Sequence, residues 1–303
     1  MKGDSQELIA NKQTRLFPVW LAIAGNIVSS VGIVMTNKAL FTHHRFDYGT
    51  SLTVIHFAVT AMALLLFRSL GLFEHRSIPM WKILPLSLSF CGFVLLTNLS
   101  LQLNSVGLYQ MAKVLTTPCV VLLQYLLHHQ RVSYPIQASL VICCAGVVIA
   151  TVSEVHLRAL GVLVAAMAVV ITSLYQIWVG SEQRALDVNA LQLLAHQAPL
   201  SAALLATLIP LFDRQVFRLH WSPSLLGMIA LSSTFAVGVN VSSFLIIGHT
   251  SALTYNVVGH SKLCLILLGG YVFFDGLLNL WNLFGVCLAF LGILLYTILR
   301  SRE

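Results

Sequence analysis

Two lysines stand inside apolar stretches of this chain, each behind a tyrosine. GLYQMAK at residues 107–113 carries Tyr109 and Lys113, and TYNVVGHSK at 254–262 carries Tyr255 and Lys262. An ammonium group in such surroundings can hold an anion. Tyr109, Gln110, Tyr255 and Asn256 each set a stacking ring beside an amide, a combination suited to recognising hydroxyls or a base, although amides also serve as glue between helices. His260, two residues before Lys262, extends the polar wall. A third lysine, Lys38 in GIVMTNKALF, lies near the end of its apolar run, where a snorkelling side chain and a cavity residue are equally open readings.

The elements that must position these residues follow from composition. Of 303 residues 58% are hydrophobic and 9% charged, against roughly a quarter charged in a soluble domain. This is the composition of an integral membrane protein. About 20 largely apolar residues cross the hydrocarbon layer, and ten such runs are expected, near 17–41, 50–70, 81–102, 105–128, 134–153, 158–180, 189–212, 222–246, 250–274 and 279–299. The first run is too long for the core of a cleaved signal peptide and reads as a retained span. All six cysteines, Cys91, Cys119, Cys143, Cys144, Cys264 and Cys287, fall in apolar segments without metal-ligand spacing and read as packing residues.

A net charge of +7 would suggest nucleic acid in a soluble protein; here its placement carries the information. Alternating ten spans puts ten Lys and Arg on the side of the N-terminus and four opposite, with Lys38, Lys113 and Lys262 inside the spans. The positive-inside rule then sets both termini in the cytosol.

The halves of the chain echo each other. TNLS at 97–100 precedes SVGLYQMAK at 105–113, and VNVS at 239–242 precedes SALTYNVVGHSK at 251–262. Five spans per copy is an odd number, so the second copy inserts upside down. Inverted repeats are a transporter architecture with the cargo site near the midplane. The expected organisation is a cytosolic tail at 1–16, repeats at 17–153 and 158–299, and a cytosolic tail at 300–303. Asn98 and Asn240 match a glycosylation triplet but fall inside spans, which excludes that use.

A lysine at the bilayer centre costs about 2.5 kcal/mol or more, so Lys113 and Lys262 are expected to face a polar cavity. A buried ion pair is the plain alternative. However, all ten acids, Asp47, Asp187, Asp213 and Asp275 among them, fall in tails, loops or span ends. Buried cations without buried anions leave a place for an anionic ligand, and the lack of carboxylate relays favours exchange of one anion for another over ion-coupled uptake. An intramembrane hydrolase would need an acid or a base beside its nucleophile. The spans offer only His56, His196 and His260 without acidic companions, so no enzyme, metal or cofactor is expected. A lone span histidine is more often a hydrogen-bonded interior residue. Gly259, Gly269, Gly270, Gly285 and Gly292 read mainly as packing positions, and Pro118 removes a backbone bond beside the proposed site.

SLTVIHFAVT at 51, LSFCGFVLLTNLSLQ at 88, GLYQMAKVLTTP at 107, TSLYQIWVG at 172, TYNVVGHSK at 254 and GGYVFF at 269 resemble the triose-phosphate translocator and nucleotide-sugar transporter family, and within it the E subgroup of solute carrier family 35. The resemblance runs from about residue 20 to 299. It implies the drug/metabolite transporter fold of ten helices in two inverted five-helix repeats, alternating access, and antiport of sugar phosphates or nucleotide sugars, here in a Golgi or other secretory-pathway membrane. In triose-phosphate members the ninth-helix motif ends in Lys-Arg, both holding phosphate. The lysine corresponds to Lys262 and the arginine position is Leu263, which suits a diesterified nucleotide sugar or another phosphorylated metabolite. The fourth-helix lysine corresponds to Lys113, with its spacing to Pro118 changed by one residue. Nucleotide-sugar members carry GALNK where this chain has GHSK.

The expected substrate-binding set is therefore Lys262, Lys113, Tyr255, Asn256, His260, Tyr109, Gln110 and Lys38. Expected partners are an anionic phosphorylated small molecule and membrane lipid, with no nucleic acid, and a homodimer is allowed for. A non-transporting regulator on the same fold and an exporter of uncharged metabolites stay open on the residues alone.

Overall fold

The structure, a computed structural model, describes residues 18–104, 106–151, 159–273 and 280–301, without the side chains of 101, 102, 106, 107, 110, 151 and 266–273. The N-terminal tail, Glu154, Arg158, Asp275, Arg302, Glu303 and the side chains of Gln110, Gly269 and Gly270 thus lie outside what is described. Ten helices of 17 residues or more follow one another among the described residues. They are α1 (Val19–His43), α2 (Gly49–Ser69), α3 (Met80–Leu103), α4 (Val106–His128), α5 (Tyr134–Thr151), α6 (Ala159–Ala185), α7 (Ala190–Ala206), α8 (Pro223–His249), α9 (Ala252–Phe273) and α10 (Leu280–Arg300). Seven of them, α1 to α4, α6, α8 and α10, are long and apolar enough to cross a membrane, while α5 and α7 are shorter apolar helices. No strand occurs among the described residues. An all-helical multi-pass membrane protein results, the arrangement in which each segment satisfies its own backbone hydrogen bonds in lipid.

Helix ends follow local chemistry. After α2, Gly71 takes a φ of 71°, and the Gly71 N–H to Arg68 and Leu72 N–H to Phe67 bonds close a Schellman motif. Asp187 closes α6 the same way with a φ of 51°, Val188 donating to Gln183. At the start of α7, Asn189 and Gln192 form a reciprocal capping box. Ser222 caps α8 ahead of Pro223.

The expected seventh span reaches 212, whereas α7 stops at Ala206 and is followed by a separate turn, Ile209–Phe212. Pro210 explains the break, because its ring clashes with the carbonyl four residues back, that of Ala206. Pro118, by contrast, is carried inside a continuous α4.

The chain forms two compact units, each drawing helices from both halves of the sequence. The first comprises the described residues to Ser87 and Val179–Ser251; the second comprises Leu88–Trp178 and the described residues from Ala252. In the first, α8 packs along α1 and α2 lies against α7 and α8. A polar ladder joins them. Asn26 Nδ2 donates to Ser242 (2.8 Å) and Ser243 (3.1 Å), Ser232 donates to Asn37 (2.5 Å) and pairs with His56 (3.0 Å), and Asn240 donates to Thr60 (3.0 Å). Such bonds hold helices together where lipid offers no hydrophobic drive. His56 and Asn240 are therefore interior residues, as the expectation for lone histidines and buried Asn-x-Ser triplets runs. Asp213, the one buried acid among the described residues, accepts from the Ser51 N–H at the start of α2 (2.6 Å).

In the second unit α5 and α10 are the most intimately packed pair. A Cβ placed on Gly146, Gly285 or Gly292 would strike the backbone of Ala289, Ala150 or Cys143, so glycine is required for this approach. All six cysteines are free thiols; Cys91, Cys143 and Cys264 are buried, as packing residues are expected to be, whereas Cys287 is exposed and departs from that expectation.

Candidate functional site

The lysines meet the tyrosines in space as they do in sequence. On α4, Lys113 Nζ stands 4.5 Å from the centre of the Tyr109 ring; on α9, Lys262 Nζ stands 5.5 Å from that of Tyr255. Spacings of four and seven residues bring side chains to one face of a helix, so each helix presents an ammonium over its own phenol. A cation over a ring gains about 0.5–2 kcal/mol, less than the cost of holding that charge within a membrane. Neither α4 nor α9 carries an acid among its residues. Lys113 is exposed and Lys262 is half-buried.

Gly259 lies on the same face of α9, four residues after Tyr255 and three before Lys262. A Cβ added there meets nothing within 4 Å, so the stripe Tyr255, Gly259, Lys262 borders open space. The expectation that Gly259 serves packing is thus corrected: it leaves room. Gly285 and Gly292 are the glycines that pack.

The opposite face of α9 is buried and does the positioning, so His260 does not share the wall of Lys262, two residues on. His260 Nε2 lies 2.8 Å from the Thr117 hydroxyl on α4, one turn beyond Lys113. Both are buried, at 6% and 0% exposure. Thr116 donates to the Lys113 carbonyl (2.6 Å), and Ser173 of α6 donates to the Thr116 carbonyl (3.3 Å). Thr254 pairs with Tyr296 of α10 at 2.9 Å and fixes the beginning of α9. A core of Val120, Ile136, Leu140, Ile177, Leu253 and Val257 closes beneath.

Two buried amides in this unit carry a polar atom without a hydrogen-bond partner, Nδ2 of Asn256 and Oε1 of Gln176 on α6. Buried polar groups are rarely left so, and each is a donor or acceptor in reserve. Gln176 was not among the expected site residues; its signal lay in TSLYQIWVG, a string that sets a tyrosine before an amide as YQ and YN do elsewhere.

Tyr109, Lys113, Tyr255, Asn256, His260 and Lys262 thus fall in one unit, on two helices in contact. The side chain of Gln110 lies outside the described residues. Lys38 is exposed on α1 in the other unit. His196, weighed with the span histidines, stacks on His75 with ring centres 5.5 Å apart, also in that unit.

The profile of the Triose-phosphate Transporter family matches residues 14–297. Among curated proteins, "UDP-xylose transporter 1" of Arabidopsis thaliana is 39% identical over 277 residues, covering 90% of this chain and 81% of that protein. "UDP-rhamnose/UDP-galactose transporter 3" of the same plant is 35% identical over 283 residues, covering 91% and 81%. A solved crystal structure superposes with a TM-score of 0.72 at 19% identity, covering 92% of this chain and 98% of its own. That last likeness speaks for the fold alone.

Proposed function

Since the chain belongs to the Triose-phosphate Transporter family, a family of transporters and not of enzymes, we propose that it is an antiporter that exchanges a nucleotide sugar for another phosphorylated solute. The observation that carries this reading is the matched pair of lysines, each over its own tyrosine, on two helices free of acids and joined by Thr117 and His260. Lys113 and Lys262 hold the two phosphates of the cargo. Tyr109 and Tyr255 orient the ammonium groups, Gln110 lines the cavity, and the buried Asn256 and His260 hold α9 in place beside it. Leu263 in place of a second cation favours a diesterified diphosphate over a sugar monophosphate. The relatives named for UDP-sugars, at 35–39% identity, point to a UDP-sugar.

Exchange proceeds by alternating access of two inverted five-helix repeats, 17–153 and 158–299, in a ten-span arrangement. The YxxxK and YxxxxxxK strings are the corresponding parts of the two copies. The excess of Lys and Arg on one side supports cytosolic termini, and a Golgi or other secretory-pathway membrane supplies the setting in which nucleotide sugars are consumed.

The test is counterflow. Purified protein in liposomes preloaded with one nucleotide sugar is offered labelled UDP-xylose, UDP-galactose, sugar phosphates and uncharged sugars. Accumulation of a labelled nucleotide sugar, lost in Lys262→Gln, is expected. Accumulation of uncharged sugars only, or equal uptake by the variant, overturns the reading.

A further inference from the structure

Residues of α4, α5 and the loop between them border a groove of about 1160 Å³ whose lining includes neither Lys113 nor Lys262. Its length is apolar, with Leu115, Leu122 and Val141 at 55%, 56% and 68% exposure along it. The polar residues gather at one end, where α4 turns into α5: Gln130, Arg131, Ser133 and Gln137. Tyr134, 85% exposed, and Tyr125 stand at this mouth, and the Arg131 guanidinium lies 5.9 Å from the Tyr125 ring centre. Tyrosines with an arginine at a helix end are the marks of a membrane–water interface. The groove therefore runs from that interface into the hydrocarbon.

We propose that this groove is a binding site for one anionic glycerophospholipid, its acyl chains laid along α4 and α5 and its phosphate at Arg131. Charge decides the headgroup. Arg131 is the one charged residue in the lining and none of the lining residues is acidic, so nothing there pairs with the ammonium of a zwitterionic lipid. Tyr125, which could stack on such an ammonium, has its ring beside Arg131. The N-terminus of α5 opens at the same mouth and adds its partial positive charge to the guanidinium. A basic pocket between membrane helices is a recurrent lipid headgroup site. Pro118 lines the groove, at the point where α4 lacks a backbone bond, so the acyl chains would brace the helix that carries Lys113.

Native mass spectrometry of the delipidated full-length protein tests this, with phosphatidylserine and phosphatidylcholine offered separately. Arg131→Gln and Val141→Trp are prepared alongside, both at exposed positions, and their melting temperatures verify folding. The wild type is expected to retain one phosphatidylserine per chain, about fivefold more than phosphatidylcholine. Arg131→Gln should lose the preference, and Val141→Trp should lose retention of either lipid. Equal retention of both lipids by the wild type, or undiminished phosphatidylserine in both variants, marks annular lipid only and overturns the proposal.

Discussion

His260 Nε2 meets the Thr117 hydroxyl at 2.8 Å, a bond that ties α9 to α4 two residues before one lysine and one turn after the other. Thr117→Val keeps the shape and removes the partner, leaving a buried imidazole unsatisfied. The loss should be about 1–3 kcal/mol, seen as a lower melting temperature of the detergent-solubilised protein. Thr117→Ser should recover most of it. If Thr117→Val melts with the wild type, the bond does not hold the two helices in register.

Removal of charge should act on binding rather than folding. Under the proposed function, Lys262→Gln and Lys113→Gln each delete one charge-assisted contact to the cargo, worth about 1.5–3 kcal/mol, or roughly tenfold to a hundredfold in affinity. Stabilisation by nucleotide sugars in a thermal screen should fall accordingly while the ligand-free melting temperature holds. Unchanged ligand response in both variants would remove the lysines from the site.

Gly259→Val separates space from stability. A side chain there meets no neighbour, and valine is a better helix former than glycine, so the protein should melt at or above the wild-type temperature. Counterflow should nevertheless drop, because the branched side chain occupies the room beside Lys262. Full transport by a normally folded Gly259→Val protein would show that cargo does not use this space.

Gly285→Ala and Gly292→Ala should do the reverse. Each added methyl meets backbone on α5, which cannot give as a side chain end would, and overpacking of this kind costs about 1–3 kcal/mol. Lower melting temperatures and poorer yield are expected with ligand response intact in the surviving protein.

Much of this molecule was legible in the chain before any coordinates. Apolar runs contrast so sharply with the loops that most helix ends fall within a few residues of expectation, and the Tyr–Lys pairs announce themselves as polar residues in the wrong solvent. Partner choice between helices was not legible. A soluble helix shows its buried face by periodicity, but a membrane helix is apolar all round. Thr117 therefore looked like any span threonine, and nothing in its neighbours named His260 as its partner. Gln176 escaped for the same reason. Nor did spacing reveal that Asp213 turns inward to the α2 terminus, since an acid at a span end ordinarily faces water. The early stop of α7 was written in Pro210, whose effect reaches back four residues.

The backbone-to-backbone seam of α5 and α10 has an experimental use. With Gly146, Gly285 and Gly292 leaving no slack for a single methyl, the two helices behave as one mechanical part. Spectroscopic labels on this pair give a fixed baseline, and displacements of α4 or α9 during a transport cycle can be read against it.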